Sequence, residues 1–204
     1  AAPNVLEDVS FDWPPGRVLL LEGHNGCGKS TVLRLLLGLR APATGTLAIG
    51  ATDLATVDAS ALRAQVAYLP QRPWLGAPTT TVREAIALLE PDASDDVMRA
   101  ALGRVGLDSL LRGDVLDAIV GELSAGQRQR LALARTLTHD APIVLLDEPD
   151  ANLDAEGAER VAAIARALAE SGKMVAIAAH SAVLRTLDAV HVDLSAPRRA
   201  GSPV

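Results

Sequence analysis

Short apolar runs alternate with stretches of helical spacing along most of this chain. Val18–Leu21, Val66–Leu69, Ile143–Leu146 and Met174–Ala178 are unbroken apolar runs. Runs this short, without polar alternation, predict strands covered on both faces. Thr46–Ile49 and Ala189–Val192 are two further strand candidates. Helical spacing fits Ser30–Leu39, Ala59–Ala64, Ala155–Glu170 and Ala182–Leu187. Strands that alternate with helices predict an α/β fold with a mostly parallel sheet and crossover helices.

Between about Arg83 and Leu137 the strand signals stop. The pattern there is helical over Val82–Leu89, Asp95–Val105, Leu107–Leu111 and Ala125–Leu137. Ser94 before Asp95 and Asp96 reads as an N-cap followed by acids in the first helical turn. The expected organisation is one domain over residues 1–204. It has an α/β core over about 1–81 and 138–194, an inserted helical subdomain over about 82–137 and a loose tail at 195–204.

Composition sharpens this. Apolar residues make up 49% of the 204 but aromatics only 2%, so the core must be built from aliphatic side chains. A net charge of −6 argues against a nucleic-acid-binding face. Cys27 is the single cysteine, which excludes an internal disulfide and suits a reducing compartment. No run approaches the length of a membrane span, and Ala1–Asn4 lacks the basic and apolar parts of a secretory leader. The chain is expected on the cytoplasmic side of the cell membrane, with any membrane-spanning part supplied by other segments.

Three stretches carry chemistry. Gly23-His24-Asn25-Gly26-Cys27-Gly28-Lys29-Ser30 fits the phosphate-loop pattern G-x-x-x-x-G-K-[ST]. An apolar run precedes it and a helical pattern opening at Thr31 follows. Glycines let successive N–H groups turn inward onto an anion, and the helix start adds partial positive charge. Lys29 is placed for the β- and γ-phosphates and Ser30 for Mg2+. The second stretch, Ile143–Pro149, is a buried run ending in Asp147 and Glu148. Strand ends of a parallel sheet face the ligand, so Asp147 is suited to Mg2+ and Glu148 to polarising an attacking water. The third is Leu123-Ser124-Ala125-Gly126-Gln127. Ser124 can cap the following helix with Gln127 as its capping-box partner, and such a start is also a second anion site.

These pieces, in this order, resemble the nucleotide-binding domain of an ATP-binding cassette (ABC) protein, from about Val5 to Val192. The resemblance implies the P-loop NTPase fold of ABC ATPases, with a mostly parallel sheet core and an inserted helical subdomain. It implies ATP and Mg2+ as ligands. Gly23 to Ser30 would form the phosphate loop, with Thr31 beside it among the nucleotide-binding residues, and Leu123 to Gln127 the family signature, its Ser124, Ala125, Gly126 and Gln127 at the nucleotide. Gln71, after Tyr68-Leu69-Pro70, would be the glutamine of the loop that touches Mg2+ and the lytic water. His180 would be the switch histidine at the γ-phosphate. Asp154, in Ala151-Asn152-Leu153-Asp154, would carry signals across a dimer interface. Glu148, His180 and Gln71 would then be the catalytic set, and Ser30, Gln71 and Asp147 the metal set.

The family pairs two cassettes head to tail, so that Ser124 and Gly126 of one close over ATP held by Lys29 of the other. The implied function is an ATP-hydrolysing motor that drives a transmembrane transporter domain or subunit. The alternatives are a soluble non-transport ABC ATPase, or a regulatory cassette that binds ATP with little hydrolysis. Gln71-Arg72-Pro73-Trp74-Leu75, Val82-Arg83-Glu84 and Val120-Gly121-Glu122 are more similar to exporter-type cassettes. Trp74 is the candidate aromatic facing a membrane-domain helix. There are departures. Ala125 and Asn152 replace a commoner Gly and a commoner small residue. The aromatic on which the family stacks adenine would lie upstream of Val5–Ser10, the segment that opens this sequence.

Overall fold

The computed structural model describes residues 6–49, 51–108 and 113–195. Among these, seven strands occur: β1 (Val18–Glu22), β2 (Ala48–Ile49), β3 (Thr52–Asp53), β4 (Val66–Leu69), β5 (Ile143–Asp147), β6 (Met174–Ala178) and β7 (Ala189–Asp193). Six α-helices accompany them: α1 (Lys29–Leu36), α2 (Ala59–Arg63), α3 (Val82–Ala87), α4 (Asp95–Arg104), α5 (Ala125–Thr138) and α6 (Ala155–Glu170).

The unbroken apolar runs all enter one five-stranded parallel sheet, in the order β4-β5-β6-β1-β7. Both faces are covered, which is why these strands need no polar alternation. On one face Val18, Leu20, Val144, Leu146, Val175 and Ile177 join residues of α3, α4, α5 and α6 in a continuous core. On the other, Leu19, Leu21, Leu145 and Ala176 pack on Val32, Leu33 and Leu36 of α1. The few aromatics contribute little. Phe11, Trp13 and Tyr68 are only partly buried against the second cluster.

Three expectations change. Thr46–Ile49 does not join the parallel sheet. Only Ala48 and Ile49 are strand, paired antiparallel with Asp53 and Thr52 in a separate two-stranded ladder. Thr46 and Ala48 are exposed, so this segment lacks the two buried faces of a central strand. Ala182–Leu187 is not an α-helix. It contains a 3-10 turn over Leu184–Thr186. Side-chain bonds from Val183 N–H to Ser181 Oγ (3.2 Å) and from the Thr186 hydroxyl to the Val183 carbonyl (2.7 Å) favour local turns there over a continued helix. Leu107–Leu111 falls mostly outside the described residues, although Leu107 itself is buried in the core.

The cap read at Ser94 is present, and a further one not read from sequence lies at Thr81. Ser94 accepts from Val97 N–H ahead of α4. Thr81 and Glu84 form a reciprocal capping box ahead of α3. The parallel sheet has one further consequence. All five strands end on the same edge, and that edge carries the phosphate loop after β1, Gln71 after β4, Glu148 after β5 and His180 after β6.

Candidate functional site

The phosphate loop is built by close approach of backbone to side chain. Gly23 has φ 134°, and a Cβ there would lie 2.6 Å from Cys27 Sγ and 3.1 Å from the Ser195 backbone nitrogen. Cys27 is buried beneath this turn as a small filler. Gly28, with φ 110°, occupies the N-cap of α1 and offers no capping side chain. The helix therefore starts with its free N–H groups uncapped by protein side chains, as an anion site requires. His24, Asn25 and Gly26 form the exposed rim, and Thr31 continues the first helical turn, its N–H bonded to the Gly28 carbonyl.

Lys29 is buried, yet its ammonium has three acceptors. These are the carbonyls of Gly23 (2.9 Å) and His24 (3.2 Å) and the His180 Nε2 (2.8 Å). An ammonium only donates, so His180 Nε2 accepts and its ring proton sits on Nδ1. The same Nε2 lies 3.9 Å from Glu148 Oε1. His180 thus stands between the cation and the carboxylate.

Asp147 closes β5 at 1% exposure and accepts from the Ser30 hydroxyl at 3.1 Å. Burial pushes its carboxyl above the ordinary range and Glu148 adds to the rise, against the pull of Ser30, Arg34 and Lys29. Asp150 is pushed up too, first by burial, while hydrogen bonds from its own backbone and from Ser181 pull it down. Tyr68 on β4 is raised by burial and by Asp147, against Arg34. Glu148 has φ 54°, a left-handed conformation that costs a non-glycine residue roughly 1–2 kcal/mol. Its N–H bonds the Ala178 carbonyl at 2.8 Å. Its carbonyl and that of Pro149 accept from the buried Gln129 amide at 3.0 and 3.2 Å. Gln129, on α5, thereby fixes the turn that presents Glu148.

Ser124 and Gln127 form the expected reciprocal cap of α5. Gln127 N–H donates to Ser124 Oγ at 3.2 Å, and Ser124 N–H donates to Gln127 Oε1 at 2.8 Å. Ala125 begins the helix with ordinary φ, so its methyl is tolerated. A Cβ on Gly126 would lie 2.9 Å from the Asn152 carbonyl, which explains the glycine. Asn152 has φ 60°, and asparagine is among the few residues that adopt this conformation readily. Asp154 accepts from Gly157 N–H at 2.8 Å as the N-cap of α6, and Arg130 approaches it at 3.7 Å. Gln71 is exposed just past β4.

Lys29, Ser30, Asp147, Glu148 and His180 therefore meet at one edge. Among the described residues no hydrogen bond joins Ser124–Gln127 or Asp154 to the phosphate loop of the same chain. Gln129 makes their link to Glu148. The residues present fit a nucleotide triphosphate, through an uncapped helix start and a buried ammonium. The Ser30 hydroxyl beside the Asp147 carboxylate is the hard oxygen pair that Mg2+ prefers.

Sequence reasoning missed several supports. Gln129 and Arg130 read only as polar helix positions after the signature. Arg130 bonds the Val105 carbonyl at 2.7 Å, and the buried Arg135 bonds the Trp74 carbonyl at 2.7 Å. Trp74 itself is 69% exposed. No periodicity separates such polar groups from surface ones, because their burial comes from tertiary packing.

Comparison with known families matches residues 6–151, more than half the chain, to the family described as ABC transporter. The mycobactin import ATP-binding/permease protein IrtB of Mycobacterium tuberculosis (strain ATCC 25618 / H37Rv) is 38% identical over 192 residues, which is 91% of this chain and 33% of that protein. The glutathione/L-cysteine transport system ATP-binding/permease protein CydC of Escherichia coli (strain K12) is 38% identical over 156 residues, 74% of this chain and 27% of that protein. A structure of a bacterial Atm1-family ABC exporter with ATP bound superposes with a TM-score of 0.77 at 32% identity, covering 92% of this chain and 35% of that one. The chain thus spans about a third of the length of the relatives it matches. It belongs to the ABC transporter family, as an ATP-binding domain of the kind found in ATP-binding/permease proteins.

Proposed function

We propose that this chain is the motor of a transporter, hydrolysing ATP with Mg2+ and working as a head-to-tail pair of cassettes attached to membrane-spanning segments. The observation that carries the reading is the meeting of Lys29, Ser30, Asp147, Glu148 and His180 within contacts of 2.8 to 3.9 Å. Lys29 and the uncapped helix start after Gly28 grip the β- and γ-phosphates. Ser30 and Asp147 hold Mg2+, with Gln71 reaching it from the neighbouring strand end. Bound there, the ion neutralises phosphate charge and fixes its geometry. Glu148 accepts the proton of the attacking water, and His180 orients the γ-phosphate end of the site.

Within one chain the signature residues Ser124, Ala125, Gly126 and Gln127 do not reach the phosphate loop. A second cassette supplies them in this reading, with Asp154 reporting across the interface. Residues 82–137 serve as the helical subdomain that carries the signature, and the exposed Trp74 faces the membrane partner. Among the described residues no helix is long and apolar enough to cross a membrane. The membrane part is therefore assigned to other segments, with this domain on the cytoplasmic side. Export is the direction we favour, on the likeness to the Atm1-family exporter.

The deciding experiment is Glu148→Gln. Turnover should fall by about 10²–10⁴-fold, the usual range for losing a general base, while ATP binding persists. Undiminished phosphate release would remove Glu148 from this role.

A further inference from the structure

His180 reaches Lys29 and Glu148 from the connection between β6 and β7, which is not itself a regular element over most of its length. Something must hold it. A side-chain tie on its C-terminal side does so. Immediately after His180, the Ser181 hydroxyl accepts from Val183 N–H at 3.2 Å and closes a local turn. Farther on, Arg185 Nε forms an ion pair with Glu22 Oε1 at 2.8 Å. Glu22 is the last residue of β1, directly before Gly23, whose carbonyl receives the Lys29 ammonium. The second Glu22 oxygen faces His191 Nδ1 at 3.0 Å on β7. At 16% exposure, the Glu22 carboxylate is largely withdrawn from water. An acid there would be costly without these partners. Glu22, Gly23, His24, His180, Arg185 and Ser195 line one open cleft of about 350 Å³ at the phosphate loop.

We propose that Glu22 is a positioning residue that, through Arg185, holds His180 between the phosphate loop and the Glu148 turn. Its carboxylate does not touch the reacting groups. It anchors the short connection that carries His180. Side-chain placement to within a fraction of an ångström is what catalytic geometry demands. The inference rests on the role assigned to His180 above, but the anchoring itself is a property of the chain alone.

The test uses the full chain and two readouts. The first is nitrogen NMR of the His180 imidazole without nucleotide. In the wild type Nε2 should report a hydrogen-bonded acceptor nitrogen with the proton fixed on Nδ1. Glu22→Ala and Arg185→Ala should each convert it to averaged tautomers, with Lys29 unchanged in sequence. Glu22→Gln, which keeps the shape and one acceptor, should restore most of the wild-type signal. The second readout is hydrolysis. Glu22→Ala should lower kcat about tenfold, with ATP affinity unchanged, since a misplaced group costs rate more than binding. The double variant Glu22→Ala/Arg185→Ala should be no slower than either single one. An unmoved His180 signal in well-folded Glu22→Ala overturns the proposal, as do rate losses that multiply. Failure of the wild type to hydrolyse ATP would instead sink the motor reading and leave the NMR result to decide the anchoring.

Discussion

Acids at the C-terminal edge of the sheet and acids in the helical stretch between Val82 and Thr138 are held in opposite ways. Asp147 and Asp150 are pushed above the ordinary carboxyl range, in each case mainly by burial. Asp95 and Asp114 are held below it, Asp114 at about 2, by the guanidinium groups of Arg83 and Arg99. The first pair sits where negative charge is unfavourable until a cation arrives. The second pair sits at the surface, each acid paired with an arginine of a neighbouring turn. Strain follows the same division. Glu148 and Asn152, two of the three non-glycine residues at positive φ, lie just past the end of β5, and none lies in the helical stretch among the described residues. The edge carries unfavourable charge and backbone because its chemistry needs them, and the helical stretch carries neither.

The sharpest break of this comparison is Lys29→Ala. Lys29 is a buried cation of the edge, and each charge-assisted bond it gives a phosphate is worth about 1.5–3 kcal/mol. Losing two such bonds should weaken ATP binding by at least about a hundredfold, read by titration calorimetry. Arg99→Ala, in the helical stretch, should leave affinity untouched. Equal affinity in Lys29→Ala and the wild type would undo the assignment of the phosphate loop.

A finer cut uses two serines with the same local job. Ser94 and Ser124 both accept from a backbone N–H three residues on, ahead of α4 and α5. Replacing either by alanine should cost about 1 kcal/mol of stability, as lost caps do. Only Ser124→Ala should also slow hydrolysis, by severalfold or more, because that helix start would close over the partner's nucleotide. Identical turnover in the two variants would reduce Ser124 to a cap and count against head-to-tail pairing.

Much of this was legible in the residues themselves. Unbroken apolar runs located four of the five sheet strands, because a strand covered on both faces leaves a signature no surface segment shares. The glycine turn over Gly23–Gly28 was equally plain, since its positive-φ positions admit few residue types. Ser124 with Gln127 announced its capping box by spacing alone. What the pattern could not carry was long-range polar packing. Gln129 and Glu22 look like ordinary polar residues, and only the sheet order brings them to Glu148 and Arg185. The two-residue pairing of Ala48–Ile49 with Thr52–Asp53 was hidden for a related reason. A ladder that short has no periodicity to read. The 3-10 turn at Leu184–Thr186 likewise reflects side-chain bonds competing with the helix, which apolar spacing does not register.

Asp147→Asn tests the unfavourable charge at the edge. For a carboxyl raised above its unfolded value, the folded state binds the proton more readily. Stability therefore falls as pH rises from the unfolded value near 3.8 through the raised one, and the deficit stays in full above it. Asparagine removes the deficit and can still accept from Ser30. The nucleotide-free variant should melt a few degrees higher at pH 7, given about 2–4 °C per kcal/mol for a chain of this size. The gain should fade as pH is lowered toward 4. Mg2+-dependent nucleotide binding should be lost in the same variant. A lower Tm at pH 7 would mean that the pull of Lys29, Arg34 and Ser30 outweighs burial, and the contrast between the two regions would weaken.

The smallest effect expected is the mirror image, Asp114→Asn. Here the folded value is depressed to about 2, so the charged carboxylate contributes stability that is complete above the unfolded value of 3.8 and disappears as pH falls through the folded one. The first cause is Arg99 at 2.6 Å, and the second is the Leu116 N–H at 3.0 Å. Asparagine keeps an oxygen for Leu116 and loses only the ion pair, which is well exposed and screened by salt. The variant should therefore be slightly less stable at pH 7, by less than Asp147→Asn gains. The difference should shrink below pH 3.8 and in high salt, with ATP affinity unaltered throughout. Denaturant midpoints at pH 7 and pH 3 read the sign directly. A stabilising Asp114→Asn would place this acid with Asp147 and erase the distinction between a surface that uses its charges for folding and an edge that holds them for chemistry.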